Sequence, residues 1–174
     1  MSGLINIYDY VIWLIKYYLP AMIANAAPVL IKGVVLIDRG NRFIDGKPIF
    51  GSNKTAEGFA IGIIMAYVTG ASVGVLTKDL LVSMLSIGAG LSALIGDLIG
   101  AFIKRRLGIE PGKPLPILDQ LDFALFTTLF YIVISLDPVI YNPLYIVTTI
   151  TVILILHVIT NNIAYVLGLK TTRW

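Results

Sequence analysis

Cysteine is absent from this chain, which excludes a disulfide framework, a thiolate metal site and a Cys-His nucleophile. Histidine occurs once, as His157 in an apolar stretch, and reads as a satisfied interior side chain rather than a ligand, so a Ser-His-Asp arrangement has no support. Charge is also scarce, at 13% of residues, and a chain this poor in charge is not a nucleic-acid binder despite its net +3. The opening segment MSGLINIYDY lacks a positive n-region and carries Asp9, so the first apolar run is expected to remain as a helix and not to be cleaved.

What replaces charge is apolar surface. At 57% apolar residues and a mean hydropathy of +0.90, the chain lies far outside soluble usage and reads as an integral membrane protein. Residues 1–174 form one all-α membrane domain. Five runs are long enough, or nearly so, to cross a hydrocarbon layer of about 30 Å: about 8–31, 57–77, 80–103, 121–136 and 144–169. The first contains Pro20 and Pro28 as expected kinks. The second and third are joined by Lys78-Asp79 as a tight hairpin, and the fourth is the shortest.

Cations orient the bundle, because lysine and arginine are retained on the cytoplasmic side of short loops. Lys32, Arg39, Arg42, Lys47 and Lys54 lie between spans one and two, and Lys104, Arg105, Arg106 and Lys113 between spans three and four. Lys170 and Arg173 follow span five, whereas the opposite side has Lys78. The expected topology is a five-transmembrane-helix bundle in a multi-pass cell-membrane protein. Its amino terminus is outside and its carboxyl terminus cytoplasmic, with loops at about 32–56 and 104–120 forming the site on the cytoplasmic face. Lys16, beside Trp13, Tyr17 and Tyr18, suits an interfacial snorkel at the outer end.

Small residues recur every fourth position at Gly58, Gly62, Ala66, Gly70 and Gly74, then at Gly88, Ser92, Gly96 and Gly100. Such ridges let helices approach closely in lipid, so spans two and three should cross at short range. Packing does not account for Asp97, which lies about 9 Å inside the cytoplasmic end of span three, where an ionised group is costly unless paired or metal-bound. Lys104 is two turns on and could pair with it. Asp119 and Asp122 open span four, where they also suit an N-cap and a first-turn acid. Three carboxylates facing one cytoplasmic pocket, with Lys104, Arg105 and Arg106 beside them, form a hard-oxygen set suited to Mg²⁺ on a polyphosphate. Arg106 and Lys113 also read simply as interfacial positive charge.

The first loop offers Ser52-Asn53-Lys54-Thr55 just before a helix amino terminus, a phosphate cradle or else a solvated basic loop. It lacks the GxxxxGK[ST] pattern of a P-loop. Glu57 would stabilise the start of span two. Asn25, Asn161 and Asn162 fall in the cytoplasmic halves of their spans, where they suit bundle hydrogen bonds or, for Asn25 and Asn161, a lipid headgroup.

Gly96-Asp97, Phe102 to Arg106, Pro111-Gly112 and Leu118 to Asp122 resemble the signature region of membrane CTP-dependent cytidylyltransferases, in particular the archaeal CDP-archaeol synthase family. Arg42 to Lys47 and Gly51 to Thr55 resemble that family's RxxDGK and GDGKT segments, with Ser52-Asn53 standing where the pattern has Asp-Gly. The resemblance implies transfer of CMP from CTP to the phosphate of an isoprenoid ether lipid, with pyrophosphate leaving. It implies Asp97, Asp119 and Asp122 as Mg²⁺ ligands and Lys54, Lys104 and Arg105 as stabilisers of phosphate charge. Lys47, Asn53 and Thr55 join Lys54, Lys104 and Arg105 as CTP contacts. The lipid phosphate is already ionised, so no general base is required.

Two other readings compete. Bacterial CDP-diacylglycerol synthases, acting on diacyl phosphatidic acid, share the signature on a longer chain, and a small cation transporter would place its acids near the midplane. A CDP-alcohol phosphotransferase is rejected, because its DGxxAR motif is broken where Asp45-Gly46 is followed by Lys-Pro-Ile-Phe.

Overall fold

Apolar runs bounded by turn residues become helices here because a helix satisfies its own backbone hydrogen bonds in lipid. The structure, a computed structural model, describes residues 6–115, 117–135 and 142–169. Among the described residues it is helical without a strand: α1 is Ile7–Tyr17, α2 Leu19–Ala26, α3 Ala56–Thr77, α4 Leu80–Arg106, α5 Leu118–Val133 and α6 Pro143–Val166. A 3-10 turn at Ala27–Leu30 extends α2. The first expected span is therefore subdivided, and each new piece has a proline in its first turn, Pro20 in α2 and Pro28 in the 3-10 turn.

Three helices, α3, α4 and α6, are long and apolar enough to cross a membrane, with 22, 27 and 24 residues. α5 has 16 residues, about 24 Å at helical rise. It begins three residues before the expected boundary, so Asp119 is not its N-cap. Ile117 takes that position, with Asp119 in the first turn and Asp122 in the second.

The α3–α4 hairpin closes through Lys78 in the left-handed conformation (φ 54), with Asp79 N–H bonded to the Gly74 carbonyl at 2.8 Å. Lys16 of α1 reaches this turn and pairs with Asp79 at 2.9 Å, so it is an anchor between helices as well as an interfacial cation. That hydrogen bond holds the Asp79 carboxyl below its ordinary range.

α3 and α4 do pack closely, but the two ridges are not partners throughout. On α3, a Cβ at Gly70 would collide with Ser86 and one at Gly74 with Ser83, while Gly62 faces Ala24 of α2 and Leu94 of α4. On α4, Gly88 faces the Phe130 ring, and Gly96 and Gly100 face Asp122, all on α5. The α4 ridge is the seat of α5. It brings the backbone of span four so close that a Cβ at Gly96 would lie 2.6 Å from the Asp122 carbonyl oxygen.

Away from the loops, Tyr10, Trp13, Tyr18, Phe123, Tyr131 and Ile153 pack around Ala21, Ala89, Ala93 and Ala124. Their hydroxyls are paired within the bundle: Tyr18 with Thr128 at 2.7 Å, Tyr10 with Thr149 at 3.2 Å, and Tyr131 donating to the Tyr17 carbonyl at 2.7 Å, where α1 ends. Satisfied hydroxyls of this kind join α1, α5 and α6 without leaving polar atoms in lipid.

Candidate active site

Three helix ends meet at the loop face: the start of α3, the end of α4 and the start of α5. Each end has a local cause. Thr55 caps α3 by accepting the Gly58 N–H at 3.2 Å. α4 stops where Gly108 (φ 77) lets the chain reverse, with Gly108 N–H bonded to the Arg105 carbonyl at 3.1 Å and Ile109 N–H to that of Lys104 at 2.9 Å. Three cations in its last turn, Lys104, Arg105 and Arg106, sit at the negative end of the helix dipole.

The first loop is folded rather than solvated. Glu57 accepts the N–H groups of Val34 and Val35 at 3.1 Å, returning the loop's entry to the start of α3. Asp38, buried among its own neighbours, accepts N–H bonds from Gly40, Phe50 and Gly51 at 2.9, 2.9 and 3.1 Å. Burial pushes its carboxyl up, but these backbone donors outweigh it and hold the group below its ordinary value. The stability it contributes is accordingly present above the ordinary carboxylate range and lost as pH falls through the lowered folded value. Asp38→Ala should cost about 1–3 kcal/mol. At neutral pH it should open residues 39–54 to limited proteolysis, which mass spectrometry of the fragments would read.

The acidic residues come from two helices, Asp97 from α4 and Asp119 and Asp122 from α5, and meet one lysine from the first loop and one from the last turn of α4. Lys54 Nζ lies 2.7 and 2.5 Å from the two oxygens of Asp97. Lys104 Nζ lies 2.9 and 2.8 Å from those of Asp119, whose carboxylate also accepts the Leu115 N–H at 2.9 Å. The expected Asp97–Lys104 pairing is thus replaced by two crossed pairs, each joining a different element. Asp122 is left between them, 6% exposed, with one hydrogen bond among the described residues, from its own neighbour's N–H at 2.6 Å. Asp97, Asp119 and Lys54 act on it through space.

Arg105 is the second group without a full set of partners. It is 4% exposed, and its Nε and Nη1 have no hydrogen-bond acceptor among the described residues. Its Nη1 lies 3.6 Å from where a Cβ on Gly51 would stand, and Asp119 acts on it through space. The two loops touch at the same place, Gly51 against Pro111 and Asn53 against Gly112. A buried guanidinium with free donors and a buried carboxylate without a cation therefore sit in one junction of loops and helix ends. Such an arrangement is suited to an anion and a cation arriving together.

Other expected residues are placed differently. Lys47 donates to the Arg106 carbonyl at 2.9 Å and so caps α4. Thr55 uses its hydroxyl oxygen on the α3 cap, while Asn53 is exposed beside Gly112. Asn25 is half-buried on α2 and Asn161 on α6. His157, one turn before Asn161, stacks on Phe123 at 6.3 Å, next to Asp122. Among the described residues no three acidic or imidazole side chains are gathered around one point, and lysines hold two of the three carboxylates. The donor set is nonetheless all hard oxygen, with the buried Asp122 short of positive charge, which is the chemistry a divalent cation of the Mg²⁺ type requires.

Sequence reasoning gave Arg106 no partner beyond its place beside the carboxylates, and gave no role to Phe43 or Asp38. The i, i+4 spacing of Phe102 and Arg106 was the one available clue to the first of these.

Comparison with known proteins gives the family. The family model CarS-like, CDP-archaeol synthase, matches residues 4–174. The CDP-archaeol synthase of Staphylothermus marinus is 52% identical over 96% of this chain and 95% of its own length. That of Aeropyrum pernix is 39% identical over 95% and 94%. A solved structure described as an intramembrane enzyme for archaeal membrane lipids biosynthesis superposes with a TM-score of 0.78 at 37% identity, covering 90% of this chain and 94% of that one. The chain belongs to the CarS-like family of CDP-archaeol synthases.

Proposed function

We propose that this chain transfers the CMP moiety of CTP to the phosphate of an archaeal ether lipid, 2,3-bis-O-geranylgeranyl-sn-glycerol 1-phosphate. A lipid phosphate oxygen bonds to the α-phosphorus of CTP, the bond from that phosphorus to the bridging oxygen breaks, and pyrophosphate leaves with the electron pair. CDP-archaeol stays in the membrane. The observation that carries this reading is the cluster of acids and cations at the loop face, with Lys54 on Asp97, Lys104 on Asp119, and the buried Asp122 and Arg105 both acted on by Asp119.

No proton has to be removed from the nucleophile, so the residues act by position and charge. Lys54 and Lys104, which here neutralise Asp97 and Asp119, turn to phosphate oxygens when CTP enters. Arg105 supplies its free donors to the same triphosphate, and Asn53 contacts CTP from the loop edge. Asp97, Asp119 and Asp122 would hold Mg²⁺, which when bound offsets charge on the triphosphate and the leaving pyrophosphate. The lipid headgroup reaches the site from the membrane, with Asn25 and Asn161 as candidate contacts.

The test is turnover by the purified protein in vesicles. CTP and the ether-lipid phosphate together should give a CDP-lipid and pyrophosphate, chelation of divalent cations should stop it, and added Mg²⁺ should restore it. Preference for diacyl phosphatidic acid would move the chain to the CDP-diacylglycerol branch, and turnover without lipid would sink the reading.

The membrane arrangement is part of the proposal. α1, α2 and the 3-10 turn together make one span, and α3, α4, α5 and α6 make the other four. The amino terminus is then outside, and the carboxyl terminus and both long loops are cytoplasmic. The absence of cysteine makes this easy to test. In right-side-out vesicles an impermeant maleimide should label Lys78→Cys and leave Ser52→Cys unlabelled until the membrane is permeabilised. The reverse pattern would invert the topology.

A further inference from the structure

Arg106 has no role in the chemistry just described, yet it makes the most elaborate set of contacts at the loop face. Its guanidinium carbon rests in the corner that two aromatic rings make, 4.8 Å from the centroid of Phe43 in the first loop and 4.8 Å from that of Phe102 one helical turn back in α4. The rings themselves meet edge-on at 5.2 Å. In the plane of the guanidinium, Nη1 donates to Asp45 at 2.6 Å, and Nη2 donates to the carbonyls of Lys47 and Pro48. The loop returns the contact: Lys47 Nζ donates to the carbonyl of Arg106 itself at 2.9 Å.

Every one of these contacts binds the same two objects, the end of α4 and the turn at residues 43–48. That turn is closed by its own bonds, Phe43 N–H to the Lys47 carbonyl at 2.8 Å and Gly46 N–H to that of Phe43 at 2.9 Å, so it moves as a unit. The chain leaving it runs through Phe50 and Gly51, which Asp38 holds, past the Arg105 guanidinium to Lys54 on Asp97. The position of Lys54 and of the loop wall facing Arg105 is therefore fixed at one end by the Thr55 cap of α3 and at the other by Arg106. No comparable tie runs from Arg106 to α6 or α2, where the lipid-side candidates lie.

We propose that Arg106 is a positioning residue for the CTP side of the reaction. It clamps the 43–48 turn onto the end of α4, and so sets the distance between Lys54 in the first loop and Arg105 in α4, two of the groups that receive the triphosphate. This rests on the nucleotidyl-transfer reading above. A guanidinium is required, because its two Nη groups bond the carboxylate and the two carbonyls from separate points while its carbon rests against both rings, a set that a compact ammonium cannot span.

The test is steady-state kinetics of R106Q and R106K in vesicles, with CTP and ether-lipid phosphate varied separately and the melting temperature recorded for each variant. The expected result is a fall in kcat/KM for CTP of about 10- to 100-fold, the scale of a misplaced positioning group, with KM for the lipid phosphate unchanged. R106K should be impaired as R106Q is.

A lower melting temperature with unchanged kcat/KM for CTP would reduce Arg106 to a structural contact, and rescue by R106K would show that charge alone suffices. Either outcome overturns the proposal. Should R106Q fail to fold, D45N decides, since it removes the charge from the 2.6 Å pair and leaves the ring contacts in place. It should lower kcat/KM for CTP in the same direction by a smaller factor, and an unchanged value overturns the clamp. Failure of the underlying reading would look different: the unaltered protein would then form no CDP-lipid at all.

Discussion

Asp122→Asn should abolish transfer, lowering turnover by about 100- to 1,000-fold, without lowering the melting temperature of the bundle. The two halves of this expectation have the same origin. Asp122 is 6% exposed and receives one backbone N–H, with two other carboxylates acting on it. A buried charge so poorly compensated costs stability, and a neutral amide of the same shape removes that cost. Groups that destabilise the resting fold and are retained for chemistry behave in this way. A melting temperature that fell along with activity would make Asp122 a structural acid, and retained turnover would remove it from the site. Asp97→Asn and Asp119→Asn should also abolish transfer, but each additionally leaves a lysine without its partner, so their stability readout is less clean.

Gly100→Ala should have nearly as large an effect through geometry alone. A Cβ at this position would fall on the Asp122 carboxylate, against Oδ2, Cγ and Cβ together. The side chain is buried, and the α5 backbone behind it is held against α4 at Gly96. Overpacking of this sort costs about 1–3 kcal/mol, and here it is discharged on a reacting-site group, so activity should fall about 100-fold while the helices stay folded. The double variant Gly100→Ala, Asp122→Asn should be no less active than Asp122→Asn alone, since both act through one side chain. Additive losses would show that Gly100 serves something other than the placement of Asp122. By contrast Gly40→Ala meets no atom within 4 Å, but its φ of +77 strains any side chain placed there, so it should lower the stability of the first loop and leave the α4–α5 contact unchanged.

The acids that the structure gathers at the loop face stand out in the chain, because a carboxylate in an apolar run has few innocent explanations. Asp97 stands out for that reason, and Asp119 and Asp122 stand out by opening a span. Their pairing was not readable. Periodicity places Lys104 on the face of Asp97, two turns away, but tertiary packing brings α5 closer to it than its own helix does, and Lys104 bonds Asp119. Lys54 reaches Asp97 from a loop 43 residues earlier, a distance on which local spacing is silent.

The small-residue ridges show the same limit. Four-residue spacing announces close approach without naming the neighbour, so the Gly88 to Gly100 ridge, expected against span two, seats span four. Prolines were more informative, since a missing N–H disrupts a helix wherever it lies, and Pro20 and Pro28 both open new helical segments. The folding of the first loop around Asp38 was invisible because its partners are backbone N–H groups, which every sequence has. Arg106 was hidden for a related reason: a cation at a helix end near the membrane already has an adequate explanation, and only the ring of Phe43, brought from the other loop, gives it another.

The most direct test of the central claim follows the phosphorus atoms of CTP. Purified protein in vesicles carrying 2,3-bis-O-geranylgeranyl-sn-glycerol 1-phosphate should be supplied in parallel with CTP labelled at the α- and at the γ-phosphate. Attack at the α-phosphorus predicts that the α-label enters the lipid fraction and the γ-label appears wholly in pyrophosphate. Label from the γ-position in the lipid, or release of either label without lipid phosphate, would contradict the account.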